Sequence, residues 1–211
     1  MIMAIIYLKF ILGPWKKDYI NINLNNPIGY KNLSMNKKIE GIIMSSEKQF
    51  LEQTNRSIHN AFERIIHCLD QLEEEHIWYR PDSDVNSIGI ILNHLCGNLR
   101  QWIISGIGGH KDIRNRPLEF DDNLKLSKQE LINKFQEIIS DCKKTINNFD
   151  PSNLLEKQRI QGFEESALSA IYGTVNHLEL HAGQITYITR LILKSNYKLR
   201  WIPQTKEQGA E

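Results

Sequence analysis

Apolar residues recur at steps of three and four along four long stretches of this chain, the spacing of helices that bury one face. The first runs from about Ser46 to Leu72, with Phe50, Ile58, Phe62, Ile65, Leu69 and Leu72 on one stripe, and Trp78-Tyr79-Arg80-Pro81 breaks it. The second, about Ser87 to Ser105, aligns Ile88, Ile91, Leu95, Leu99, Trp102 and Ile103; Asn86 or Ser87 can cap its start, and the glycines after Ser105 end it. The third opens on Ser127-Lys128-Gln129-Glu130, a capping box, continues through Leu131, Phe135, Ile138, Ile139, Cys142, Ile146 and Phe149, and closes at Asp150-Pro151. A shorter period around 154–164, with Gly162, predicts a small hairpin or an extended loop. The fourth stretch, about Ser166 to Lys194, carries Leu168, Ile171, Tyr172, Val175, Leu178, Ala182, Ile185, Ile188 and Ile192. Four such segments predict an all-α four-helix bundle, a fold that builds cofactor sites from side chains on facing helices.

Residues 1–43 hold neither period. Asn21, Asn23, Asn25, Asn26, Asn32 and Asn36 crowd a short interval with Pro27 and Gly29, which predicts an appended, lightly packed or disordered segment. A translation start at Met35 or Met44 is a further expectation, and the intact mass of the native protein decides it. Residues 44–203 form the bundle domain in this reading, and 204–211 a C-terminal tail.

Composition narrows the classes. With 26 basic and 25 acidic residues the formal charge is +1, which argues against a nucleic-acid partner. No run approaches the roughly 18 apolar residues of a membrane span. The opening MIMAIIYLKFIL is not expected to be a secretory leader either: it lacks a basic start, carries Lys9 in its apolar run and precedes Trp15-Lys16-Lys17. Cys68, Cys96 and Cys142 are an odd number without a CxxC pair, the pattern of reduced, buried thiols in a cytoplasmic protein.

Seven histidines supply the candidate chemistry. His177 and His181 stand four apart on one helix, so both rings leave the same face and can reach one divalent ion. A third ligand must come from another helix, and His94 shares the inward stripe of Ile91, Leu95, Asn98 and Trp102. Against this stands the ordinary reading of such histidines as hydrogen-bonded core residues. Glu179 is not the base of an HExxH motif, because that position is Leu178 here; at 179 it is rotated about 200° from His177 and faces away. His59, Glu63 and His67 make a similar row, but one about 100° off the apolar stripe and so turned to solvent. His76, His110 and the run Glu73-Glu74-Glu75 read as surface residues.

Three separate motifs, in order, carry a family resemblance. The segment Asn86-Ser87-Ile88-Gly89-Ile90-Ile91-Leu92-Asn93-His94-Leu95-Cys96-Gly97-Asn98-Leu99, ending in Arg100-Gln101-Trp102, resembles the second helix of the DinB-like superfamily. The loop Arg114-Asn115-Arg116 with Glu119-Phe120 resembles the "RNRD-x-EF" element of a branch near the YfiT-type metal-dependent hydrolases, with Pro117-Leu118 replacing the acidic position and its follower. His177-x-x-x-His181-Ala182-Gly183-Gln184-Ile185-x-Tyr187-Ile188 resembles that branch's last-helix signature. The similarity covers roughly Ser46 to Pro203.

The resemblance implies an up-down-down-up bundle, commonly a homodimer, with one divalent metal held by His94, His177 and His181. Three imidazoles suit zinc, nickel, iron or copper. Relatives include transferases and isomerases that use a low-molecular-weight thiol, and others named as hydrolases, so a small-molecule substrate is expected and the reaction stays open between water and thiol as nucleophile. Asn98 and Gln184 could support the ligands, and Arg114 and Arg116 could clamp an anionic substrate or lie in an exposed loop or dimer contact. The alternative is a non-enzymatic stress-response bundle whose ion supports folding.

Overall fold

The computed structural model describes residues 31–80, 82–121 and 125–202, with side chains described from residue 46 onward. Five α-helices dominate: α1 (Lys31–Leu69), the single turn α2 (Glu74–Ile77), α3 (Ile88–Leu99), α4 (Lys128–Asn148) and α5 (Ala167–Leu193). A π-helical segment, Arg100–Ile107, continues α3, and a 3-10 turn, Arg116–Phe120, lies in the loop before α4. A two-stranded antiparallel hairpin of β1 (Lys157–Ile160) and β2 (Phe163–Ser166) precedes α5.

The expected all-α bundle is present, and most of the expected stripes form its core, although Leu168 and Tyr172 of the fourth stretch are exposed instead. Ile58, Ile65 and Leu69 from α1, Ile88, Leu92, Leu95 and Leu99 from α3, Phe135 and Cys142 from α4, and Ile171, Leu178, Ala182 and Ile185 from α5 are almost fully removed from water. Side-chain contacts give the order of the helices around this core. α1 meets α4 through Phe62 against Phe135 (centroids 5.7 Å apart) and through Asn55 to Asn147 (2.8 Å). It meets α5 through Arg64 to Glu179 (2.8 Å) and the Cys68 thiol to Thr186 (3.7 Å). α3 and its π extension pack on both α4 and α5. All three cysteines are buried and free.

Helix starts follow local chemistry. Ser87 caps α3, its Oγ accepting the Ile90 N–H. The capping box of α4 forms as expected, Ser127 Oγ accepting the Glu130 N–H while Glu130 accepts the Ser127 N–H at 2.8 Å. The hairpin also forms, turning on Gln161 (φ 53°) and Gly162 (φ 86°), the two left-handed positions of a tight two-residue turn.

Several details differ from the expectations. The helix of the first stretch, expected from about Ser46, has its backbone helical from Lys31 onward. Residues 1–30 and 204–211 lie outside the described residues. The second stretch is α-helical only to Leu99 and then π-helical, a change of pitch that hydrophobic spacing does not encode. Glu73, Glu74 and Glu75 are exposed as expected, and the Glu74 carboxylate also accepts the Lys128 N–H at 2.9 and 3.0 Å, tying α2 to the start of α4. His67 does not face solvent, although His59 and Glu63 do: its Nε2 lies 2.8 Å from the Lys198 carbonyl, because the segment after α5 folds back along α1 and the Lys198 N–H binds Gln71. Likewise His76 is half-buried and accepts the Glu73 N–H through Nδ1, while His110 is exposed as expected.

Candidate metal centre

α5 presents His177 and His181 one turn apart, and α3 brings His94 against them. The three rings turn their Nε2 atoms toward one point: His94 Nε2 and His181 Nε2 each lie 3.2 Å from His177 Nε2. Among the described residues this is the one group of His, Cys, Asp or Glu side chains arranged to hold a metal ion. Two nitrogens each about 2.0–2.1 Å from a common ion at a tetrahedral angle are about 3.3 Å apart, so the observed spacing fits one ion.

The far sides of the rings explain why the Nε2 atoms are free. His94 Nδ1 donates to Glu119 Oε2 at 2.9 Å, and His181 Nδ1 donates to Gln184 Oε1 at 2.7 Å. Those partners assign the proton to Nδ1 in both rings and leave bare lone pairs on both Nε2 atoms. His177 Nε2 can donate to only one of them, so the other Nε2 lone pair lies 3.2 Å from it without a proton donor. His177 Nδ1 is buried without a hydrogen-bond partner. Burial pushes the His177 imidazole down to about 4, with His181 and His94 beside it acting in the same direction; burial also lowers His181. Both are therefore neutral at pH 7, the state in which imidazole binds a metal.

Glu119 is the site residue that periodicity alone misses. Its side chain is 8% exposed and Arg114 grips it from behind, Nε to Oε1 at 2.6 Å and Nη2 to Oε2 at 2.8 Å. Burial alone would raise this carboxyl, but the hydrogen bonds from Arg114 and His94 outweigh it and hold it below the ordinary carboxylate range. The result is a carboxylate–histidine pair of the kind that orients metal ligands. Arg114 Nη1 also donates to Gln101 Oε1 (2.8 Å), and Gln101 Nε2 donates to Asp112 (2.7 Å), so the π-helical segment anchors the loop. Gly97 makes room for this: a Cβ there would lie 1.9 Å from Glu119 Oε1 and 3.2 Å from Arg114 Nε. The sequence signal for Glu119 was its place in the loop motif.

The other expected site residues are placed as follows. Gln184 is exposed and bonds His181 directly. Asn98 is half-buried, one turn beyond His94, with its carbonyl oxygen buried and unpartnered. Arg114 is no exposed loop residue; its side chain is 4% exposed and its fork is spent on Glu119. Arg116 is exposed and lies over the Phe120 ring, 5.2 Å from its centroid, and Phe120 in turn packs 5.4 Å from the His94 ring. Glu179 pairs with Arg64, away from the cluster. Cys96, whose thiol burial pushes up to about 12, and Cys142, also raised by burial, are not thiolates at neutral pH.

Solved structures share this architecture. A conserved protein from Enterococcus faecalis matches with a TM-score of 0.56 at 15% identity, over 67% of this chain and 96% of its own. A DinB-like protein from Bacillus cereus ATCC 10987 matches with a TM-score of 0.55 at 16% identity, over 69% and 91%. No curated protein sequence matches significantly. The fold is thus that of the DinB-like helical bundles, with a three-histidine cluster able to hold a metal ion. Within that class, the chain belongs to the family described as "Protein of unknown function (DUF1572)", whose model matches residues 45–206.

Proposed function

We propose that this protein is a mononuclear metal-dependent enzyme that acts on a small molecule, as a thiol S-transferase or a hydrolase, with His94, His177 and His181 holding one divalent ion. The convergence of three Nε2 atoms at 3.2 Å spacing carries this reading. When bound, zinc, nickel or iron at three neutral imidazoles supplies a Lewis acid that lowers the pKa of a bound water or thiol and keeps positions open for it. The chain's own residues do the rest. Glu119 and Gln184 fix the ring tautomers of His94 and His181, Arg114 keeps Glu119 ionised, and the exposed Arg116 beside Phe120 offers a fork to an anionic group on the substrate. The free thiols of the chain are buried, so a thiol nucleophile would be a low-molecular-weight one from solution.

The test is a mass-spectrometric screen of the metal-loaded protein with several thiols paired with electrophiles, alongside ester and amide substrates. Turnover that disappears in His177→Ala supports the enzyme. Turnover that persists in His177→Ala, or none with any pairing, overturns it.

A second reading rests on a different observation. The cluster and its supports tie α3, the 112–119 loop and α5 together, so an ion there could mainly stabilise the bundle. A steep fall in melting temperature on metal removal, with no product in the screen, favours this non-enzymatic role.

A further inference from the structure

A cavity of about 380 Å³ lies between the face of α3 that carries Asn93, Cys96, Gly97 and the adjoining Arg100, the loop from Ile113 to Glu119, and the start of α4. Its size is at the lower end of small-molecule sites. Two features give it a chemical preference. The wall combines three cations, Arg100, Arg114 and Lys134, with one carboxylate, Glu119, and that carboxylate is already committed to Arg114 and His94.

Arg100 is the more telling cation. Its Nε is buried without a hydrogen-bond partner, and no carboxylate among the described residues pairs with its guanidinium. Arg100 also borders a wider polar cleft whose carboxylates are Asp141, Asp150 and Glu156; Asp141 pairs with Lys144, Asp150 caps Ser152, and none of the three pairs with Arg100. A buried guanidinium edge without an acceptor is rare and asks for one. Lys134, across the cavity, has only the neutral Asn93 Oδ1 at 3.1 Å. Ile113, Leu118 and Leu126 form the apolar part of the wall beside Asn115, and Ile113 and Leu118 are exposed.

We propose that this cavity binds a small organic anion, its charged head on Arg100 and Lys134 and its apolar body against Ile113, Leu118 and Leu126. The site does not depend on the metal reading, so binding is measured on the full chain both metal-free and zinc-loaded.

Octanoate below its micelle concentration is the probe, followed by titration with methyl-labelled protein. Saturable binding is expected, with the Ile113, Leu118 and Leu126 methyl resonances shifting and those of Ile188 unmoved. Arg100→Gln should weaken the affinity by about tenfold or more, since a charge-assisted hydrogen bond is lost. Lys134→Gln serves the same purpose at an exposed position if the first variant does not fold. Much weaker binding of 1-octanol and of inorganic phosphate completes the expected pattern, because each lacks one half of the ligand. Octanol binding as tightly as octanoate, shifts mapping elsewhere, unchanged affinity in both variants, or no saturable binding would overturn the proposal.

Discussion

Glu119 shows how much one side chain decides at this site. It accepts from His94, is gripped by Arg114, and fits only because residue 97 has no side chain. Glu119→Leu should therefore lower zinc affinity by about 10–100-fold in a chelator competition, the usual cost of losing a carboxylate behind a ligating histidine. Gly97→Ala should do the same without touching a ligand, because the new Cβ would displace the carboxylate; unchanged affinity in both variants would show that His94 needs no support. The buried histidines give a pH prediction with a definite sign. Folded His177 titrates near about 4 against an ordinary 6.5, so between those values the unfolded chain binds more protons than the folded one. Stability of the metal-free protein should thus fall as pH drops from 6.5 toward about 4, with the lowered His181 acting in the same sense. Melting curves across that range should slope less in His177→Phe, and equal slopes would contradict the assignment. At this scale the sequence exposed His177 and His181 by their spacing. It exposed His94 by its stripe and by motif. It did not expose the bidentate grip of Arg114 on Glu119, because that pair joins a loop to a helix face and no period encodes it.

Among the elements, α4 and the π extension of α3 matter most. α4 starts on a reciprocal Ser127–Glu130 box, with Glu74 adding a third acceptor. Ser127→Ala should cost about 1 kcal/mol, seen as a fall in melting temperature of about 2–4 °C for a chain of this size; no change would mean that Glu74 alone satisfies the helix start. The four long helices were legible because each buries a stripe at 3.6-residue spacing, and the hairpin because Gly162 breaks that period. The π segment was not legible. Its apolar residues Ile103, Ile104 and Ile107 fit an α-helix equally well, and what distinguishes it is the buried Gln101, held by Asp112 and Arg114. A wider helical turn thus sits where the loop that carries Glu119 is anchored, a common place for such turns near functional sites.

For the whole molecule, the histidine cluster is set on helices from opposite parts of the sequence, 83 residues apart, so folding itself assembles it. No described helix is long and apolar enough to cross a membrane. We propose that the protein is a homodimer and that α5 supplies the contact: Tyr172, Leu180, Tyr187 and Leu191 are between 45% and 66% exposed along its outer side, an apolar stripe that a second copy would cover. Light scattering should report a dimer for the wild type and a monomer for the Leu180→Glu, Tyr187→Glu double variant; an equal mass for the two would remove α5 from the interface. The sequence could not locate this face, because an exposed apolar residue becomes informative only once the core that excludes it is known.

The account rests most heavily on metal at the three histidines, and direct metal analysis of the purified protein tests it. One equivalent of divalent ion per chain is expected after loading and desalting, with loss of that ion in each of His94→Ala, His177→Ala and His181→Ala while the helical circular dichroism is kept. Stoichiometric metal retained in all three variants, or none bound by the wild type, would contradict it.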